Sequence, residues 1–185
     1  MTQPALLLAL MLLGGSIAFA QPAEAQRSGF IIGIGLGPGT GFGLEPGLPS
    51  YSSVPDRQSE IGMAVDFHIG WVVGDSFELY YVQKGTIIST DVADVSIGSG
   101  MRGFGFSYPL NPEFSINVGA GVALWTELGP NPPLEHAEGL GLVGGVRHKL
   151  NEDGRWALGF DITYAEPFPD FSAFGAQFTI NLLSH

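Results

Sequence analysis

Asp66 and His68 are the residues whose types and spacing come nearest to a chemical site in this chain. A carboxylate and an imidazole two positions apart on a β-strand point to the same face, because side chains alternate along a strand. Such a pair can pass a proton in a proton-linked site, or it can belong to a polar protein interior. We favour the structural interpretation, because a single Asp-x-His pair is a weak signal of chemistry.

The strand that carries this pair is predicted by a strict alternation of apolar and small or polar residues. The apolar positions are Ile61, Met63, Val65, Phe67, Ile69 and Trp71. Asp66 and His68 therefore belong to the opposite face, whose other members are small. The same period recurs and predicts eight strands, at residues 29–37, 60–71, 76–83, 93–108, 113–125, 138–150, 155–164 and 171–183.

The fourth predicted strand needs a β-bulge near Arg102 and Gly103. Its apolar side chains are odd-numbered up to Met101 and even-numbered from Phe104 onward. One extra residue in a strand reverses the facing of everything after it. A bulge at this point would place both apolar groups on one face.

Residues 1–25 are predicted to be a secretory signal peptide. Residues 5–13 form an apolar run that is too short for a membrane-spanning helix, which needs about 20 residues. Small-x-small sequences predict cleavage after Ala20 or Ala25. The remaining residues, 26–185, have the length of one domain.

Composition excludes several classes of protein. The chain has no cysteine, which excludes disulfides and thiolate metal sites, and its net charge of −11 excludes a nucleic-acid binder. Charged residues make up 14%, against about 25% in soluble domains, and the mean hydropathy is +0.24. An apolar, exported chain without a long apolar helix indicates a β-barrel, which also satisfies its backbone hydrogen bonds in lipid.

We therefore predict an all-β fold, an eight-stranded antiparallel up-and-down transmembrane β-barrel. The face opposite to the apolar one is small and glycine-rich, as the interior of a narrow barrel requires, so the apolar face meets lipid. Aromatic residues near the strand ends are expected at the membrane interfaces. They are Trp71, Phe77, Tyr108, Phe114, Trp156 and Tyr164, with Tyr81, Trp125, Phe168 and Phe174 as further members.

Seven charged or titratable residues of the strands are expected inside the barrel. They must form pairs there, because an isolated buried charge is costly. We interpret them as a structural network and predict no catalytic residue, metal site or cofactor. The seven are Asp66, His68, Glu78, Arg102, Arg147, Lys149 and Asp161.

The connections between strands are predicted to run long, short, long, short, long, short and finally intermediate, and this asymmetry is typical of outer-membrane barrels. The loops carry most of the negative charge, opposed only by Arg57 and Lys84. Their carboxylates are Glu45, Asp56, Glu60, Asp91, Asp94, Glu127, Glu135, Glu138, Glu166 and Asp170.

The chain resembles the small eight-stranded outer-membrane β-barrel family, which includes OmpA/OmpX-like and OmpW-like barrels. The most specific segment is Gly175-Ala176-Gln177-Phe178-Thr179-Ile180, which looks like the signal recognised by the barrel-assembly machinery. It departs from that signal by continuing through residues 181–185. The resemblance implies the outer membrane of a Gram-negative bacterium, reached by Sec-type export and signal cleavage. It also implies outer-membrane lipid, lipopolysaccharide and the assembly machinery as partners.

Three functions compete under this resemblance. We favour a non-enzymatic structural or surface-interaction role through acidic extracellular loops, with an unknown ligand. The alternative is a narrow channel for small or hydrophobic solutes, as in OmpW-like barrels. A lipid A-modifying enzyme is disfavoured, because barrel deacylases place a serine two residues from a lipid-facing histidine. The corresponding neighbours of His148 are Val146 and Leu150.

Overall fold

Eight alternating strands close on themselves by backbone hydrogen bonds. The computed structural model describes residues 29–43, 60–73, 77–89, 96–128, 134–151, 155–168 and 171–184. The strands are β1 (Gly29–Gly43), β2 (Glu60–Val73), β3 (Phe77–Ser89), β4 (Ser96–Pro109), β5 (Phe114–Leu128), β6 (Leu134–Lys149), β7 (Trp156–Phe168) and β8 (Phe171–Ser184). Each strand pairs antiparallel with the next, and β8 pairs with β1. The predicted fold class is confirmed.

Some predictions concern residues outside the described ranges. These residues include the predicted signal peptide, residues 1–25, and five loop carboxylates: Glu45, Asp56, Asp91, Asp94 and Asp170. The side chains of Glu60 and Glu135 are also outside what the structure describes. In the described ranges, no helix is long and apolar enough to cross a membrane.

The two ends of the barrel differ in their connections. We call the end with segments 44–59, 90–95, 129–133 and 169–170 the loop end, and the end with 74–76, 110–113 and 150–155 the turn end. Only 44–59 is long, so the predicted regular alternation of long and short connections is wrong. The strands have 13 to 16 residues, against the ~9–11 that a tilted membrane strand needs. The observed strands are longer than predicted because they include segments such as 84–89, which the sequence predicts to be loops.

The alternation of the sequence separates an outer wall from an interior. On β2, Ile61, Met63 and Trp71 are exposed on the wall, whereas Asp66 and His68 are buried. Large apolar side chains therefore cover the outside, and polar side chains lie inside. This is the reverse of a water-soluble barrel, whose apolar side chains face inward.

Inward glycines make room for the polar side chains. A Cβ atom added to Gly33 would lie 2.2 Å from the His68 imidazole, and one added to Gly145 would lie 2.2 Å from Asp161 Oδ1. A narrow interior cannot hold side chains from every inward position. The glycine-rich face of the strands is thus the space in which the interior polar groups pack.

Strand β4 runs straight where a bulge was expected. Its pairings with β3 and β5 continue without a register shift over Ser96–Pro109. Met101 is fully buried and Arg102 is exposed on the outer wall, so the predicted interior position of Arg102 is wrong. Met101 can face inward because Gly141 is small: a Cβ there would lie 2.5 Å from the Met101 Cβ.

The structure places a bulge on β6 instead. Val122 pairs with Leu140 and Ala123 with Glu138, which makes Gly139 the extra residue. Gly139 has a φ of +70°, in the left-handed region where a glycine carries no Cβ penalty. The bulge therefore lies at Gly139, and the switch from odd-numbered to even-numbered apolar residues near Arg102 does not mark one.

Candidate functional site

An ion-pair triad crosses the middle of the barrel interior. Lys84 Nζ lies 2.9 Å from Asp66 Oδ2 and 2.5 Å from Asp161 Oδ2, and each side chain is at most 3% exposed. Asp66 faces Lys84 from the neighbouring strand β2, whereas Asp161 reaches it from β7 on the far side of the barrel. One ammonium group thus joins opposite walls. We call Asp66, Lys84 and Asp161 the central triad.

His68 extends the central triad toward the turn end. Its Nδ1 lies 3.5 Å from Asp66 Oδ1, and its ring centroid lies 5.4 Å from that of Tyr80. The Tyr80 hydroxyl donates to the carbonyl oxygen of Phe106 at 3.2 Å. The Asp66 carboxylate is therefore shared between Lys84 and His68, which is the arrangement of a structural network.

A second ion pair lies nearer the turn end. Arg147 Nη1 is 3.2 Å from Glu78 Oε2, and Arg147 is only 4% exposed. Lys149 follows Arg147 on the same face of β6 and is half-buried at the end of the strand. Five of the seven predicted interior residues thus belong to these two clusters: Asp66, His68, Glu78, Arg147 and Asp161.

Neutral polar groups fill further interior positions on β8. Gln177 Nε2 donates to Thr86 Oγ1 at 3.2 Å, and Asn181 Nδ2 donates to Thr179 Oγ1 at 2.9 Å. The bond between Gln177 and Thr86 reaches from β8 to β3, so it also crosses the interior. These hydrogen bonds offset part of the cost of burying the two amides, whose oxygens Gln177 Oε1 and Asn181 Oδ1 have no hydrogen-bond partner among the described residues.

Packed aromatic rings fill the interior at the loop end. The Trp125 ring lies 5.2 Å from Phe171 and 6.1 Å from Phe168 in edge-on geometries, and Ile97 and Ala173 complete the cluster. We call this group the aromatic cluster. The predicted interfacial positions of Trp125 and Phe168 are therefore wrong. A register shift between Ala165 and Phe168 lets Phe168 turn inward.

Lys84 is the central residue that the sequence prediction misses, because it places Lys84 in a loop. Gln83 and Gly85 interrupt the apolar series on the outer face of β3, which makes the strand seem to end there. The inward series Tyr80, Val82, Lys84, Thr86 and Ile88 continues without interruption and is buried throughout. That inward alternation is the signal that could have extended the strand.

The other predicted interfacial aromatics lie on the outer wall. Four of them are exposed near the turn end: Trp71, Phe77, Phe114 and Trp156. Tyr108 is half-buried at the same end of β4. Tyr164 lies toward the loop end, where its hydroxyl donates to Glu166 Oε2 at 3.3 Å and lies 3.2 Å from Ser172 Oγ.

The apolar wall and the charged interior together define the class of the fold as a small eight-stranded transmembrane-type β-barrel. Within the described ranges, no group of three or more His, Asp or Glu residues is arranged to hold a metal ion.

Solved outer-membrane barrels share this fold. Ail, the attachment invasion locus protein of Yersinia pestis, has a TM-score of 0.53 at 10% identity, covering 83% of this chain and 98% of Ail. The structure of Ail in complex with the heparin analogue sucrose octasulfate has a TM-score of 0.52 at 11% identity, covering 86% of this chain and 100% of the Ail chain. Neisserial surface protein A has a TM-score of 0.52 at 13% identity, covering 85% of this chain and 99% of the neisserial protein. The sequence itself matches no protein-family model and no curated protein.

Proposed function

We propose that this chain is a bacterial outer-membrane protein that acts at its loop end by structural or surface interaction, without catalysis. The observation that carries the proposal is that side chains of the described residues fill the interior from the Arg147–Glu78 pair to the aromatic cluster. A barrel with a filled interior has its ends and its outer wall left for function.

The outer wall supports the membrane location. Ile61 is 84% exposed, Phe104 76% and Trp71 62%, values that would be very unfavourable for side chains of this size in water. In lipid the same side chains are in their preferred environment, and the closed sheet leaves no unpaired strand edge. Sec-type export with cleavage after Ala20 or Ala25 is part of this proposal.

Fractionation and gel migration test this location. The protein should be found in the outer-membrane fraction and should migrate differently before and after boiling, because a folded barrel resists detergent until it is heated. A protein that migrates equally in both conditions and stays soluble without detergent would contradict the proposal.

Assembly in the outer membrane would use the end of β8. Phe178 and Ile180 are exposed on the outer wall, so their side chains are accessible to the assembly machinery. We expect Phe178→Ser with Ile180→Ser to lower the amount of folded barrel in the outer membrane. Ser172→Ala, on the same face of β8, is the control.

The filled interior favours the surface role over the channel. Lys84 bridges Asp66 and Asp161 across the middle, and the aromatic cluster closes the loop end, so a solute would have to displace both. In planar bilayers the purified protein should therefore give no discrete conductance steps. Regular single-channel steps from the unmodified protein would support the alternative channel function.

The charge of the loop end favours a cationic partner. The connecting segments at that end contain Glu45, Asp56, Asp91, Asp94 and Asp170, and Arg57 is their only basic residue. With Lys84 placed in the interior, no lysine opposes these carboxylates. The polyanion bound in the Ail complex is therefore a ligand that this loop end would repel.

Binding of charged surfaces tests this preference. Vesicles containing the protein should bind polylysine-coated beads and ignore heparin-coated beads, and binding should weaken as salt is raised. Asp91→Asn with Asp94→Asn should reduce the binding, whereas Glu113→Gln at the turn end should not. Equal binding to both beads would contradict the role of the acidic loops.

A further inference from the structure

A groove of about 340 Å³ lies on the outer wall across β2 to β5, toward the loop end. Its volume is in the range of small-molecule sites, which begins at about 300 Å³. Three outward glycines form its floor, and apolar side chains border it. The glycines are Gly85, Gly98 and Gly100, and the border includes Phe67, Ile87, Leu124 and Leu128.

Arg102 lies next to this groove. It is exposed on the outer wall midway along β4, and the register pairs it with Gln83, which lines the groove, and with Val122. On the turn-end side of Arg102, the Tyr81 and Phe104 rings pack 6.3 Å apart. A guanidinium on an apolar wall is costly unless it reaches the polar headgroups or an anion.

The glycine floor gives the Arg102 side chain an open direction. The next outward positions of β4 toward the loop end are Gly100 and Gly98, which carry no side chain. A long arginine side chain can therefore lie along the groove with its charged end toward the headgroup region. The guanidinium fork matches the oxygens of a phosphate.

We propose that the groove binds an anionic glycerophospholipid, with its phosphate at Arg102 and one acyl chain along the apolar border. The inference rests on the proposed function, because it requires a barrel in a membrane. One arginine beside one narrow groove matches a lipid with a single phosphate. A glycolipid with two phosphates and many chains would need more cations and more room.

The glycines provide a matched pair of variants. Gly98 accepts a side chain, because the nearest atom to an added Cβ would be Thr126 Cβ at 3.6 Å. Gly98→Leu therefore fills the groove without disturbing the sheet. Gly144→Leu is the control, because Gly144 has no atom within 4 Å of an added Cβ and lies on β6, away from the groove. Gly100 is unsuitable, because its Cβ would lie 2.0 Å from the Lys84 carbonyl oxygen.

Native mass spectrometry of the folded, detergent-solubilised protein tests the proposal. The sample receives equal amounts of palmitoyl-oleoyl phosphatidylglycerol, the phosphatidylcholine with the same chains, and lipid A. The unmodified protein should retain one phosphatidylglycerol. Arg102→Gln should lower this retention about tenfold, the scale of a lost charge-assisted hydrogen bond. Gly98→Leu should lower it by occupying the groove, and Gly144→Leu should leave it unchanged.

Three results would overturn the inference. They are equal retention of the two phospholipids, unchanged retention in Arg102→Gln, and preferential retention of lipid A. All four proteins must show heat-modifiable migration before the measurement. A failure of that migration in the unmodified protein would instead overturn the proposed membrane barrel, so the two failures are distinguishable.

Discussion

The interior and the outer wall of this barrel accommodate positive charge in different ways. Inside, Arg147 lies 3.2 Å from Glu78, and Lys84 is held between two aspartates. On the wall, the register places Arg102 between the neutral side chains of Gln83 and Val122. The interior cations are thus paired with carboxylates of the protein, whereas Arg102 is exposed on the wall between neutral neighbours.

Glycine also has different roles in the two regions. Inside, Gly33 and Gly145 occupy positions where a methyl group would collide with a buried polar side chain. On the wall, Gly98 and Gly144 have room for a side chain. Gly33 and Gly145 are therefore required by packing, whereas Gly98 and Gly144 can each take a side chain without a steric clash.

Removing Lys84 should give the largest loss of stability, because it leaves the interior carboxylates without their cation. Lys84→Met leaves Asp66 and Asp161 facing each other without a cation, so we expect a loss of about 3–5 kcal/mol in the free energy of unfolding. Urea unfolding in detergent micelles, followed by tryptophan fluorescence, measures it. Adding Asp66→Asn and Asp161→Asn to Lys84→Met should recover most of the loss. A single variant as stable as the parent would show that the central triad is not needed.

Truncating the aromatic cluster should give the next largest effect. Trp125→Ala removes the ring that contacts Phe168 and Phe171, and we expect a loss of about 3 kcal/mol from the cavity left behind. Trp71→Ala on the outer wall is the control, because lipid or detergent can fill the space, and its loss should be clearly smaller. Equal losses in the same unfolding measurement would remove the distinction between interior and wall.

Adding a methyl group to an inward glycine should have a moderate effect. Gly33→Ala forces the His68 ring to move, and we expect a loss of about 1–3 kcal/mol from overpacking. Gly144→Ala should change stability by less than about 0.5 kcal/mol, because it meets no neighbour. Combining Gly33→Ala with His68→Ala should cost less than the sum of the single changes. Additive losses would show that the two positions do not compete for space.

Replacing Arg102 should have the smallest effect and the opposite sign. In vesicles of zwitterionic lipid, Arg102→Leu should raise the free energy of unfolding by about 1 kcal/mol, because it removes a charge from the apolar wall. In vesicles with anionic phospholipid the gain should shrink, since the arginine then has a partner. A loss of stability in both kinds of vesicle would show that Arg102 has a partner within the protein. The outer wall would then accommodate its positive charge in the same way as the interior.

The alternation of side chains was sufficient to predict the closed eight-stranded barrel and its apolar exterior. Side chains two residues apart share a face whatever the rest of the chain does, so period two can be read locally. It also placed Asp66, His68, Arg147 and Asp161 on faces that the structure buries. The ends of the strands were harder, because an outward Gln83 and Gly85 look like a loop although the inward series continues.

Only the tertiary structure decides which face an irregular position joins and which residues pair across the interior. Arg102 and Met101 each suit a different face locally, and the register of β4 turns Met101 inward, where Gly141 on β6 leaves room for it, and Arg102 outward. Asp161 is 77 residues from Lys84 in the chain, and barrel closure brings them to 2.5 Å. Local periodicity determines which face a residue joins. Which residues meet inside depends on strand register around the whole barrel, which is a property of all eight strands together.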